Sequence, residues 1–376
     1  MKQLLSPLMI FAALGLTLFQ PPWAWAWTKA KAKATAEKPV TLPDPPLRWS
    51  PRDLSETSVT LEEENRGQTV AIAATVQLPT VSSGLIAQAN AKNAQLKPMA
   101  QESWQPIFLP GRHYFLEIDG PQGHLWCGHR LEIDEAQSAR RDTRSLIWEI
   151  SPRNTRTPSG SMAGATYRIR PHLTVPMLFS RAWEAALQGR AASTLIQGTL
   201  SRPAGGTEDF QVTRDSRNGT LRWSVEGRPV GEERLILAPG SGLAVKLPPG
   251  TTLGVGLQGE GRNFPCRVPL ISGWNLLAYP FPQNLRLGRD WGTGDPTVTM
   301  GVNPGQTDRI LLIQDGQSQG YALWSSPQGP RWRAVEPTTG QWQEPAQFLE
   351  TIPFGYAFYL FRQKPNPHHA FLPPAP

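Results

Sequence analysis

From about residue 105 the chain is cut into short alternating runs by turns rich in Gly and Pro, a spacing that suits strands and leaves little room for long helices. With 34 Gly and 38 Pro among 376 residues, the chain can reverse after almost every run. In Tyr114-Phe115-Leu116-Glu117-Ile118-Asp119-Gly120, the period of two puts Tyr114, Leu116 and Ile118 on one face and Glu117 and Asp119 on the other. Leu131-Glu132-Ile133-Asp134 alternates in the same way, and Gly120-Pro121-Gln122-Gly123 supplies the turn between them. Similar runs recur as far as Tyr356–Arg362, so the pattern predicts an all-β, predominantly antiparallel sandwich or barrel. Short helices are expected at 85–96 and at 181–188, the latter with Ser180 as N-cap and Gly189 just past its end. A transmembrane β-barrel is set aside, because proline interrupts runs that would each need about ten alternating residues.

Two stretches share one rough plan. Leu195-Ile196-Gln197, Arg222-Trp223 and Pro239-Gly240-Ser241-Gly242 are echoed by Leu312-Ile313-Gln314, Arg331-Trp332 and Pro353-Phe354-Gly355. Leu312 follows Leu195 by 117 positions, Trp332 follows Trp223 by 109, and Pro353 follows Pro239 by 114, the signature of a diverged internal repeat. Matched positions are then expected to serve the scaffold, which puts Trp223 and Trp332 in two cores, each with its arginine over the ring. Unmatched positions are freer to serve function. Trp324 and Trp342 are unmatched, facing Thr213 and the 229–231 region of the first copy.

The N-terminus has the parts of a secretory signal: Lys2, an apolar run from Leu4 to Phe19, and Ala24-Trp25-Ala26 as a small-x-small cleavage box. Removal of 1–26 would leave no apolar run long enough to cross a bilayer as a helix. The domain reading is therefore a signal at 1–26, a Lys/Ala- and Pro-rich disordered tether at 27–50 and a poorly defined segment at 51–104. Two β units follow at 105–270 and 271–363, and a Pro-rich tail at 364–376 ends the chain. The expected destination is the periplasm or the extracellular space.

Lys and Arg number 37 against 30 Asp and Glu, a formal +7, and five of the nine lysines precede residue 40. The folded part is thus arginine-dominated, with a modest positive field suited to acidic polysaccharide or another envelope surface. Export argues against a nucleic-acid partner. Cys127 and Cys266 make an even count for an oxidising compartment. Paired, they would close a long loop and add about 4–5 kcal/mol in chain-entropy terms; unpaired, they would be two buried thiols.

Local signatures of catalysis and metal binding are lacking. His124, Cys127 and His129 offer three soft ligands without a fourth, so no metal and no cofactor is assigned. Ser161 stands one place too early for a nucleophile elbow, and Ser241 fits a turn opening a strand. Glu117 with Asp119, and Glu132 with Asp134, could be paired carboxylates of a glycosidase, yet they fit the solvated face of a half-exposed strand better. No catalytic residue is assigned. Trp is plentiful, 14 in all, and Trp324 and Trp342, near turns, are the candidates for a sugar-stacking or docking platform.

The hairpin Tyr114–Gly120 with Gly128-His129-Arg130-Leu131-Glu132-Ile133-Asp134-Glu135-Ala136 resembles a family of uncharacterised exported proteins best known from Verrucomicrobia. Gly273-Trp274-Asn275-Leu276-Leu277-Ala278-Tyr279-Pro280-Phe281, Asp308-Arg309-Ile310-Leu311-Leu312 and Arg331-Trp332-Arg333 leading to Ile352-Pro353 carry the resemblance onward, over residues 105–362. The chain departs from the pattern at Leu125-Trp126-Cys127 and at Phe354-Gly355-Tyr356. The resemblance implies a secreted β-rich protein and no established activity. The expectation is thus an exported, non-catalytic binding or structural protein of the envelope or extracellular space, associated with polysaccharide. The alternative is a secreted hydrolase whose site assembles from residues distant in sequence.

Overall fold

In a computed structural model, the described residues run from 57 to 372, apart from 64–68, 74–75, 79, 90–92, 99–107, 110, 139–144, 148–160, 179–194, 247–252, 289–290, 292–297, 315–316, 337–338 and 365–367. Three six-stranded antiparallel sheets dominate, and each has its own apolar core. Sheet I runs in the order Arg130–Glu132, Tyr114–Gly120, Thr166–Pro171, Ser82–Ala89, Asn93–Pro98, Ser145–Ile147. Sheet II runs Arg228–Pro229, Leu221–Val225, Thr207–Arg214, Leu195–Ser201, Gly242–Lys246, Thr69–Ala73. Sheet III runs Phe348–Leu349, Gly329–Val335, Gln317–Ser326, Arg309–Gln314, Ala357–Arg362, Gly273–Ala278. A helix of four residues, Glu135–Ser138, follows the first edge strand of sheet I. Among the described residues no helix is long and apolar enough to cross a membrane.

Sheets II and III have the same strand order, and each is accompanied by a two-stranded ribbon: Leu173–Thr174 with Ile236–Leu237, and Leu285–Arg286 with Thr351–Ile352. Cross-strand pairing fixes which positions correspond. Leu200 faces Leu243 as Leu312 faces Phe358; Val212 faces Trp223 as Leu323 faces Trp332; Leu173 faces Leu237 as Leu285 faces Ile352. All of these side chains are buried in their respective cores. Trp223 and Trp332, 5 % and 1 % exposed, occupy the same place in each. The register corrects two sequence alignments, the first being that Pro239 corresponds to Phe354 and Ala238 to Pro353. Leu312 corresponds to Leu200, 112 positions earlier, so Leu195-Ile196-Gln197 is matched by Thr307-Asp308-Arg309 and not by Leu312-Ile313-Gln314. An apolar triplet recurs readily in strand-rich sequence, whereas register depends on which side chains must face a core.

The turn before the strand at Gly242 corresponds to the turn before Ala357. Gly240 and Gly355 both hold a positive φ, 79° and 86°, a conformation that side-chain-bearing residues adopt only at a cost. Sheets II and III meet there: the Gly240 carbonyl accepts the Ala278 N–H at 2.9 Å, and a Cβ at Gly242 would lie 2.7 Å from that of Ala357. Ser201 Oγ adds a donor to the Gly242 carbonyl at 3.2 Å. The close approach therefore requires a residue without a side chain.

Several expectations change. Residues 85–96 are not helical: 85–89 and 93–96 belong to the antiparallel strands Ser82–Ala89 and Asn93–Pro98, and in the first of these Ile86 is buried while its neighbour Leu85 is exposed, the alternation of a strand. Segment 51–104 supplies strands to sheet I, to sheet II and, through Thr57–Glu63, to a third group containing Leu253–Gly261 and Val76–Gln77, so no boundary falls at 105. The span 105–270 holds parts of three cores rather than one, since Cys266, Val268 and Leu270 belong to the core of sheet III. Part of the Pro-rich tail, His368–Leu372, forms a strand against Cys266–Leu270. The helix expected at 181–188, the signal at 1–26 and the tether at 27–50 lie outside the described residues.

Candidate functional site

Strand alternation builds the site on the outer face of sheet III. Leu323 and Trp332 point into the core, so their neighbours Trp324, Arg331 and Arg333 point out. Phe348, opposite Arg333, joins the same face. Trp342 arrives differently. After strand Gly329–Val335 the chain turns back, with the Gly340 N–H on the Glu336 carbonyl at 2.8 Å and the Gln343 N–H on that of Ala334 at 3.0 Å. That return brings the Trp342 indole to the same face, where Nε1 donates to the Val302 carbonyl at 2.8 Å.

The result is a row of three rings. Trp342 and Trp324 have centroids 6.4 Å apart, and Trp324 and Phe348 are stacked at 6.1 Å with 25° between planes. Guanidinium groups are threaded through the row. Arg333 Cζ lies 5.2 Å from the Trp324 centroid and 5.5 Å from that of Trp342, and Arg331 Cζ lies 3.9 Å from that of Phe348. Each such contact is worth about 0.5–1 kcal/mol at a partly exposed site, enough to hold the rings in place. Strand alternation carries the arginines expected over Trp223 and Trp332 to the opposite face, so Arg331 flanks Phe348 and Arg222 pairs with Asp215. Each arginine is ion-paired: Arg333 with Glu344, and Arg331 with Glu350 at 3.0 Å. The Met300-Gly301-Val302 segment borders the row, with Gly301 bridged to Trp324; Val302 is 75 % exposed and Met300 43 %. A cleft of about 290 Å³ opens at the Phe348 end, lined by Arg286, Arg331, Phe348, Glu350 and Thr351 among others.

The two tryptophans singled out from sequence are thus brought together. Arg333, Phe348 and Val302 were not singled out; the period-two spacing of Arg331 and Arg333 beside a core tryptophan was the available signal. Sheet II lacks the row. Thr213, Ser224 and Pro229 stand where sheet III has Trp324, Arg333 and Phe348, and the Glu226-Gly227 turn between its last two strands replaces the longer return that carries Trp342.

The remaining candidates fall into the scaffold. Cys127 and Cys266 are buried free thiols, not a disulfide. Their segments are adjacent, since the Arg267 N–H donates to the Gly128 carbonyl at 3.0 Å, but Cys266 Sγ is directed at the Pro239 carbonyl, 3.6 Å away. His124 Nδ1 accepts the Trp126 N–H at 3.3 Å, and His129 packs edge-on against the Trp126 ring. Ser161 Oγ accepts the Ala163 N–H in a turn. Glu117 is not on a solvated face: it is 1 % exposed and paired with Arg262 and Arg170, because further chain covers the second face of its strand. Asp119 is paired with Arg168 at 2.6 Å, and Glu132 with Arg130 and His172 at 3.0 and 2.5 Å.

Comparisons with protein families, with curated proteins and with solved structures found no match to this chain.

Proposed function

We propose that the protein is an exported, non-catalytic binding or structural component of the cell envelope or extracellular space that retains polysaccharide on the face formed by Trp342, Trp324 and Phe348. The observation that carries this reading is the contrast between two sheets of one topology: the ring row is built in sheet III and missing from the corresponding positions of sheet II. A scaffold that needs no such rings in one sheet does not need them in the other. Partly exposed indoles beside an open cleft suit the apolar faces of sugar rings. The reading takes sheets II and III as copies of one duplicated unit, residues 1–26 as an export signal, and the resemblance to exported Verrucomicrobial proteins as kinship.

The test is affinity electrophoresis of the full chain through gels containing a broad set of polysaccharides, with Trp324→Ala and Trp342→Ala beside it. Retardation by at least one polymer, reduced about tenfold or more in either variant while far-UV circular dichroism is unchanged, is the expected result. Equal mobility of all three proteins in every gel would refute it, and release of reducing ends from a polymer would replace it with a hydrolase.

A further inference from the structure

We infer that the ligand of this face is a neutral, polyhydroxylated glycan and not a polyanion, an inference that rests on the glycan-binding reading above. The formal +7 of the whole chain points toward acidic partners, but along the ring row Arg331 and Arg333 are already ion-paired, and Arg286, which also lines the cleft, is engaged as well. Arg331 is held by Glu350 and Arg333 by Glu344, so each guanidinium is neutralised where it stands. Exposure is distributed unevenly within these pairs. The Glu350 and Glu344 side chains are 75 % and 73 % exposed, against 41 % for Arg331 and 10 % for Arg333. Whatever lies along the rings therefore meets carboxylate oxygen more readily than guanidinium.

An ionised carboxylate only accepts hydrogen bonds, and its two oxygens have about four acceptor positions. Glu350 and Glu344 thus retain acceptor capacity beyond their arginine partners. Sugar hydroxyls are donors and would fill it, while uronate or sulfate groups would be repelled by it. The Arg331–Glu350 pair, with its guanidinium 3.9 Å from the Phe348 centroid and both residues lining the cleft of about 290 Å³, sets a donor and an acceptor side by side at a ring face. Vicinal hydroxyls of a pyranose offer the complementary pattern, an acceptor and a donor on neighbouring carbons. Exposed Val302 and Met300 extend the apolar border of the row without adding charge.

Isothermal titration of the full chain with soluble oligosaccharides tests this. One series is neutral, from a mannan and a β-glucan; the other is acidic, from alginate and polygalacturonate. The expected result is saturable binding of at least one neutral series, changing less than about twofold between ~0.05 and ~0.5 M NaCl because no net charge is being neutralised. Glu350→Ala, a surface change that leaves the sheet intact, is expected to weaken it about tenfold, the scale of one lost hydrogen bond to a charged group. Preference for the acidic series, or binding abolished by salt, overturns the inference while leaving glycan binding in place. Neutral binding that Glu350→Ala does not alter overturns the role given to the pair. Failure of both series to bind overturns this inference and the proposed function together.

Discussion

Glu117 and Arg262, 145 residues apart in the chain, form an ion pair from which water is excluded: their side chains are 2 % and 0 % exposed. The Arg262 guanidinium also donates to the carbonyls of Phe264 at 2.9 Å and Pro265 at 2.7 Å and lies over the Phe264 ring at 4.0 Å. Arg170 Nε approaches the second Glu117 oxygen at 3.5 Å. One carboxylate thus serves two buried cations, tying sheet I to the segment that leads into the strand at Cys266. Removing one partner of such a cluster costs about 3–5 kcal/mol, since the other is left charged and dry. Arg262→Met is expected to lower unfolding free energy by about that amount in urea titrations followed by tryptophan fluorescence. Glu117→Gln should cost at least as much, because it strands two cations instead of one anion.

The cysteines give a second expectation. Burial pushes both thiols above their ordinary value, outweighing the neighbouring Arg262, which pulls them down. Neither should react with a thiol-specific aromatic disulfide reagent in the native protein at mildly alkaline pH, and both should react after unfolding without reductant. Loss of both reactive groups in the unfolded, unreduced protein would show them to be bonded.

Acid stability should depend on Glu132. Its burial raises the carboxyl pKa, but the charges of His172 and Arg130 and their hydrogen bonds prevail and hold it at about 2, below the ordinary 4.5. A folded-state value below the unfolded one means stability that is present above about pH 4.5 and lost as pH falls toward 2. The amount at stake is on the order of 3 kcal/mol. Thermal unfolding followed between those limits should show the loss, and Glu132→Gln should flatten it.

The corresponding tryptophans should behave alike. Trp332 stacks on Trp291 with centroids 6.2 Å apart, and Trp223 packs against Phe210 at 6.5 Å. Emptying either site is expected to cost about 3–5 kcal/mol, so Trp223→Ala and Trp332→Ala should lower the melting temperature by similar amounts. Trp324→Ala, on the outer face, should lower it by much less.

What could be read from sequence divides along a physical line. Alternation is local, so the strand Tyr114–Gly120 and the inward place of Tyr114, Leu116 and Ile118 were legible, as was the burial of Trp223 and Trp332. What covers the other face of a strand is decided far away in the chain. Glu117 therefore read as solvated, and Arg262 gave no local sign of reaching it. Register is equally non-local, which is why the Leu-Ile-Gln triplets misaligned while the tryptophans, each fixed by one core, did not. At the site, Trp324 and Trp342 were found by having no counterpart. Phe348 escaped because its counterpart, Pro229, lies in a strand of two residues that no periodicity can reveal.

The strand Thr69–Ala73 forms the edge of sheet II beside Gly242–Lys246, while all the strands of sheet I lie between them in the sequence. During synthesis this early strand must therefore wait, unpaired and able to zip to a wrong neighbour, until about 170 further residues have emerged. A message truncated between the two strands should therefore yield a chain that aggregates through this unpaired edge.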